Sequence, residues 1–209
     1  MVQKQSYEPQ IGLASPILTS KGTATRQRII EGAAEQVRIH GVDSTSLDDV
    51  RAASRTSKSQ LFHYFPEGRT QLLLAVAQHE ADRVLSDQQP ELADLTSWAA
   101  WQRWRDLVVS RYRSQGQTCP LGVLTSQLRP SSPEIQDIVV RLLEHWQRGI
   151  ADGIRAMQAQ GEIAADMDPD QAAAALLAGI QGGVVFMLAT GQITHLEAVL
   201  DRGIAALHS

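Results

Sequence analysis

The sequence predicts an all-α protein, a three-helix helix-turn-helix head followed by a larger helical domain, with roughly nine to ten helices in all. Three observations predict it. Apolar residues recur at three- and four-residue intervals along most of the chain, and no convincing alternating run marks a strand. Helix-start signals repeat: Ser, Thr or Asp ahead of Pro, or followed by an acid or amide three residues on. Hydrophobic residues make up 43% of the chain, enough to build a core.

Taken in order, residues 1–22 read as a polar, flexible arm, without the basic flank and apolar run of a signal peptide. From Thr25 to His40, Ile29, Ile30, Ala33, Ala34 and Val37 form one helical stripe, and Gly41 is placed to stop it. Ser46 or Thr45 caps a short second helix, with Asp48 and Asp49 complementing its N-terminal dipole and Leu47, Val50 and Ala53 as its apolar face. Ser57 caps a third, with Leu61, Phe62 and Phe65 directed inward. After "FPEG", a longer helix from about Thr70 to Ser86 carries Leu72, Leu73, Val76 and Val84. Pro90 and the acidic "PELADL" open the next helix, which ends near "RSQGQT", and a short one follows Pro120.

Ser132 and Pro133 start a helix that reaches about Gln160. Asp168, Pro169 and Gln171 repeat the device. The stretch Ala172–Ala189 that follows is close to the length a bilayer requires, but Asp166, Asp168 and Asp170 flank it and no Lys or Arg is near. It reads as a helix buried on several sides, and no membrane is expected. Thr194 and Glu197 read as a capping box opening the last helix. The expected division is an arm over 1–22, a helix-turn-helix head over 23–85, and a larger helical domain over 86–209.

The net charge of -4 conceals a split. Residues 21–72 hold eight Lys/Arg against six Asp/Glu, whereas residues 73–209 hold ten against sixteen. Cys119 is the only cysteine, which excludes an intrachain disulfide and Cys-based metal sites and fits a reducing cytoplasm. Neither metal nor cofactor is expected. The chain has no H-E-x-x-H, no G-x-S-x-G and no phosphate-cradling Gly loop, and no His is placed by sequence to activate Cys119, so an enzyme is not expected.

The stretch "DDVRAASRTSKSQLFHYF" holds two helices too short to stand alone, joined by the polar break "SRTS". With the preceding helix they make a helix-turn-helix unit. The third helix presents Lys58, Ser59 and Gln60 on its first turn; a Ser-capped N-terminus suits a phosphate, and Gln and Lys reach base edges in the major groove. His63 and Tyr64 lie one turn further on, near the flanking backbone.

At these residues the chain resembles a known family. "GVDSTSLDDVRAASRTSKSQLFHYFPEGRTQLL" is similar to the DNA-binding domain of the tetracycline-repressor (TetR) family, over Ala24 to about Val84. "FPEGR" and "TCPLGVLTSQL" resemble its multidrug and lincomycin-resistance branch. The resemblance implies phosphate-positioning roles for Thr45, Ser46, Ser57, Tyr64 and Arg69, and base-reading roles for Lys58, Ser59, Gln60 and His63. Two positions depart from the pattern. Arg55 stands where a turn glycine is usual, at a cost of about 1 kcal/mol if the backbone keeps positive φ. Ser59 replaces a frequent glycine.

Beyond Ser86 the resemblance implies a ligand-binding and dimerisation domain. Trp98, Trp101 and Trp104 recur at spacing three, with Val108 and Tyr112 continuing the stripe, either as core or as the wall of an aromatic cavity. Trp101, Trp104, Val108, Cys119, Trp146 and Phe186 are the candidate ligand residues, with Asp106 or Glu80 as candidate partners for a cationic ligand. Small residues one turn apart, Ala178/Gly182 and Gly179/Gly183, together with the stripe Ile135, Ile138, Val139, Leu142, Leu143 and Trp146, suit a four-helix interface across a two-fold axis.

The expected protein is thus a cytoplasmic homodimeric regulator, a repressor binding a palindromic double-stranded DNA operator and released by a small apolar or aromatic effector. The helix from Thr70 to Ser86 is its lever. The alternatives are a helical protein–protein adaptor or a redox-responsive regulator acting through Cys119.

Overall fold

The computed structural model describes residues 19–128 and 132–208. Among these residues there are nine α-helices and no strand. Most of the expected arm lies outside the described residues. Its last part does not: α1 runs Ser20–His40, five residues earlier than expected, because Thr19 caps it and accepts from the Gly22 amide. The predicted stripe of α1 is buried throughout, and Gly41 ends the helix at φ 85°.

Helix α2 (Leu47–Ser54) is capped by Ser46, and α3 (Lys58–Tyr64) by Ser57. Helix α1 crosses α2 at Gly32, where an added Cβ would meet the Ser54 amide at 3.2 Å and the Ser54 Cβ at 3.3 Å. This close approach buries Ser54 rather than the expected Ala53, which faces solvent. The buried Ser54 hydroxyl is satisfied by the Val50 carbonyl at 2.7 Å. Phe62 is a second correction. It is 39% exposed, whereas Leu61 and Phe65 are fully buried. Leu61 and Phe65 stand one turn apart on a single face, and Phe62 is rotated about 100° away from it. In the turn, Arg55 takes φ 51° and ψ 47°, the left-handed conformation in which a glycine would be unstrained.

Helix α4 (Arg69–Ser86) packs on α1 at one end and on α7 (Pro133–Ala159) at the other. Helix α5 (Trp98–Gln115) starts eight residues after Pro90, capped by Ser97, so the expected helix from Pro90 does not form. Residues 91–93 make a single 3₁₀ turn instead. The segment is held by packing: Leu92 fills the space beside Gly149 and Leu95 the space beside Gly153, where an added Cβ would lie 2.5 Å from Leu95 Cβ. A short α6 (Pro120–Gly122) runs into a π-helical turn over Val123–Leu128.

Ser132 caps α7 and Asp168 caps α8 (Pro169–Thr190), as their sequences predict. The capping box expected for α9 (Thr194–Ala206) is absent. Ile193 occupies the cap position, and Glu197 instead accepts from Arg113 at 2.7 Å. Helix α8 is long and apolar enough by length and composition to cross a membrane. It packs on α7 and α9 and, more lightly, on α6 and the turn before it, which leaves one side exposed. Gly183 and Gly179 receive Leu196 and Val199 of α9. On the adjoining side Ala175, Ala178, Gly182, Val185, Phe186 and Ala189 form an exposed apolar stripe, with Val185 62% exposed.

Candidate nucleic-acid interface and effector cleft

The two short helices of the turn are fixed by reciprocal caps. At α2, the Ser46 amide and hydroxyl both donate to Asp49 Oδ2, at 2.8 and 2.6 Å, and the Asp49 amide donates back to Ser46 Oγ. The hydroxyl, then the amide, hold the Asp49 carboxylate below its ordinary range. At α3, the Ser57 amide donates to Gln60 Oε1 at 3.0 Å and the Gln60 amide to Ser57 Oγ at 3.1 Å. The two helix starts therefore differ in charge. The first carries its own anions, Asp48 and Asp49, and the second carries neutral Gln60 beside Lys58. The second approaches a polyanion with the less repulsion.

Lys58, Ser59, Gln60 and His63 are all exposed on α3, and the unforeseen Phe62 joins them. Tyr64 is half-buried, with its ring edge-on to His63 at a centroid distance of 4.8 Å. Ser46 and Ser57 are exposed caps. The structure gives Thr45 and Arg69 internal tasks that sequence reasoning missed. Thr45 is 4% exposed, and its hydroxyl donates to the Gly41 carbonyl at 2.8 Å. The Arg69 guanidinium donates to the carbonyls of Val42 and Thr45. Those contacts span more than twenty residues and leave no local signature.

In the larger domain a small cleft, partly open to solvent, lies between the end of α4 and α5. The room inside it is about 20 Å³, space for roughly one water molecule, so a small molecule has to widen it on entry. Val84, Val108 and Pro120 supply its apolar wall, and Asp87, Gln88, Arg111, Tyr112 and Gln115 its polar groups. Gln115 Nε2 donates to Asp87 Oδ2 at 2.8 Å. Burial pushes the Tyr112 phenol well above its ordinary value, so it keeps its proton at neutral pH.

Of the six candidate ligand residues, only Val108 lines this cleft. Trp101, Trp104 and Trp146 are fully buried in the core. Trp104 Nε1 donates to Gln88 Oε1 at 3.0 Å and so stands directly behind the cleft wall. Phe186 is not brought there: it is 51% exposed on the outer side of α8, stacked on His195 at 4.4 Å. Asp106 is exposed and paired with Arg105. Glu80 is fully buried between α4 and α1, paired with Arg38 and 3.8 Å from Arg83, and its Oε2 has no hydrogen-bond partner among the described residues.

Cys119 is fully buried, and its sulfur accepts from the Gly122 amide at 3.2 Å. Cys119→Ser is therefore expected to leave DNA affinity and the response to peroxide nearly unchanged. Loss of a peroxide response in that variant would identify Cys119 as a redox sensor.

Two family descriptions match the chain. "Bacterial regulatory proteins, tetR family" covers residues 29–76, and "Tetracyclin repressor-like, C-terminal domain" covers residues 97–202. The chain belongs to the TetR family. This TetR-family regulator is 28% identical over 165 residues to the transcriptional regulator AcuR of Cereibacter sphaeroides, covering 76% of the chain and 74% of that protein. It is 24% identical over 171 residues to the HTH-type transcriptional repressor DhaR of a Mycobacterium species, covering 79% and 83%. Among solved structures, a regulatory protein TetR from Rhodobacter sphaeroides shares the fold with a TM-score of 0.74 at 23% identity, covering 88% of the chain and 98% of that one. The first match contains the exposed α3 row, and the second contains α5 and most of the cleft-lining residues.

Proposed function

We propose that this TetR-family regulator is a cytoplasmic repressor that binds an inverted-repeat operator as a two-fold dimer, reads it with α3, and releases it when a small effector enters the cleft at the end of α4. The observation that carries the reading is the exposed row Lys58, Ser59, Gln60 and His63 on a helix whose start has no anion and is reciprocally capped. With Oε1 held by the cap, Gln60 keeps its Nε2 donors for acceptors such as guanine O6 and N7 or thymine O4 in the major groove. Tyr64 and the Ser caps contact phosphates, which position the head without reading sequence. Arg69 acts at one remove, by fixing the connection between α1 and α2.

The exposed stripe of α8 supports assembly of two copies through that helix, whereas Ile135, Ile138, Val139, Leu142 and Trp146 of the expected α7 stripe are buried within the subunit. Helix α4 supports the lever role, because Arg69 at its start holds the head and Val84 near its end lines the cleft. The mixed lining favours an effector with an apolar or aromatic body and a polar end for Gln88 or Tyr112. Coupling is reciprocal: the factor by which the effector weakens DNA binding is the factor by which operator weakens effector binding.

Selection of binding sites from a random duplex pool tests the reading. The wild type should enrich an inverted repeat with half-sites about 34–36 Å apart or a multiple of it. Gln60→Ala should relax preference at one or two base pairs per half-site, each worth about 1–3 kcal/mol. Tyr64→Phe should instead weaken all sequences alike. An unchanged base preference in Gln60→Ala would remove Gln60 from the readout.

A further inference from the structure

The connection between α1 and α2 is held from outside the head. Gly41 leaves α1 at φ 85°, and the next residue, Val42, is held through both its amide and its carbonyl. The Val42 amide donates to Gln127 Oε1 at 3.2 Å, and the Val42 carbonyl accepts from Arg69. Arg69 also reaches the Thr45 carbonyl, directly before the Ser46 cap of α2. Gln127 is 85 residues from Val42 in sequence and belongs to the π-helical turn Val123–Leu128. That turn continues directly from α6, whose first residue, Pro120, lines the cleft. A π turn is rare and recurs at functional sites. The continuous segment Pro120–Leu128 therefore has the cleft wall at one end and a hydrogen bond to the head near the other.

We propose that Gln127 is a positioning residue, registering the head against the effector domain through the Val42 amide along a route parallel to α4. Movement of Pro120 on effector entry carries the π turn with it and strains or breaks the Gln127–Val42 bond, while Arg69 passes any displacement of the connection on to the start of α4. The angle at which each head leaves the dimer, and hence the half-site spacing it accepts, depends on this bond. The inference rests on the operator-binding reading above.

The test uses the full-length chain with the operator selected by the wild type, and the same operator with its half-sites moved apart or together by one base pair. Hydrogen exchange of the Val42 amide is followed in parallel. Gln127→Ala should speed Val42 exchange and reduce the discrimination between correct and altered spacing, each by about two- to tenfold, the factor carried by one net hydrogen bond. Gln127→Glu keeps an acceptor oxygen and should restore both. Unchanged Val42 exchange in Gln127→Ala overturns the proposal, and so does faster exchange with spacing discrimination intact, because the bond is then only structural. A wild type that enriches no inverted repeat removes the operator reading itself, whereas a wild type that enriches one beside an indifferent Gln127→Ala removes the Gln127 role alone.

Discussion

Trp104→Ala is expected to lower the unfolding free energy by roughly 3–5 kcal/mol through the lost ring and the cavity it leaves. A further 1–3 kcal/mol or so follows from the abandoned partner. Trp104 is fully buried and edge-on to Trp101 at 5.8 Å, so the neighbouring ring cannot slide over to close the gap without losing its own seat beside Gly153. Gln88 Oε1 loses its donor in the variant, while Gln88 Nε2 stays bound to the Val84 carbonyl at 2.9 Å and holds the amide in place. Urea unfolding at matched protomer concentration measures the loss. Trp98→Ala is the control: that ring is half-buried against His208, with its Nε1 on Glu162, and its removal should cost distinctly less. Equal losses for the two variants would show that Trp104 is not a fixed part of the core.

Arg38→Met is expected to cost about 3–5 kcal/mol at neutral pH, because it strands a buried carboxylate. Glu80 has no exposed surface, and Arg83 at 3.8 Å is a poor replacement for Arg38. Burial, opposed by Arg38 and then Arg83, holds the Glu80 carboxyl above its ordinary value. The sign of the pH dependence follows. A carboxyl raised by folding binds its proton more tightly in the folded state, so its contribution is fully present below the unfolded value and is lost as pH rises through the folded one. Losing Arg38 raises the folded value further. The deficit of Arg38→Met should therefore be largest near pH 7 and shrink as pH falls toward the ordinary glutamate range. Arg38→Met/Glu80→Gln should recover much of the loss at pH 7 and show no such trend. A deficit independent of pH, or no recovery in the double variant, would mean that Arg38 acts through packing alone.

What could be read in the sequence was what neighbours along the chain decide. Ser57, Ser132–Pro133 and Asp168–Pro169 start helices with their own side chains, and each starts one where expected. The α3 row was legible for the same reason, since cap, turn and exposed face all lie within ten residues. The failures share the opposite cause. Pro90 carries a helix-start signature, but Leu92 and Leu95 are claimed by Gly149 and Gly153 of α7, and α5 waits for Ser97. Glu197 matches a capping box, but Arg113 takes its carboxylate across the fold. Phe62 fits an apolar pattern, but so short a helix has one covered side, and Leu61 and Phe65 occupy it. Arg69 and Gln127 were the least legible, because their partners are backbone groups of a distant connection and carry no side-chain signature at all.

The exposed stripe of α8 makes copy number a folding parameter. On the proposed assembly, a lone subunit folds with Val185 and Phe186 wetted, and each pairing event removes that surface from water. Mass action then ties the resistance of the chain to heat and proteases to how much of it is present. A cell that made too little would lose it faster than dilution alone predicts.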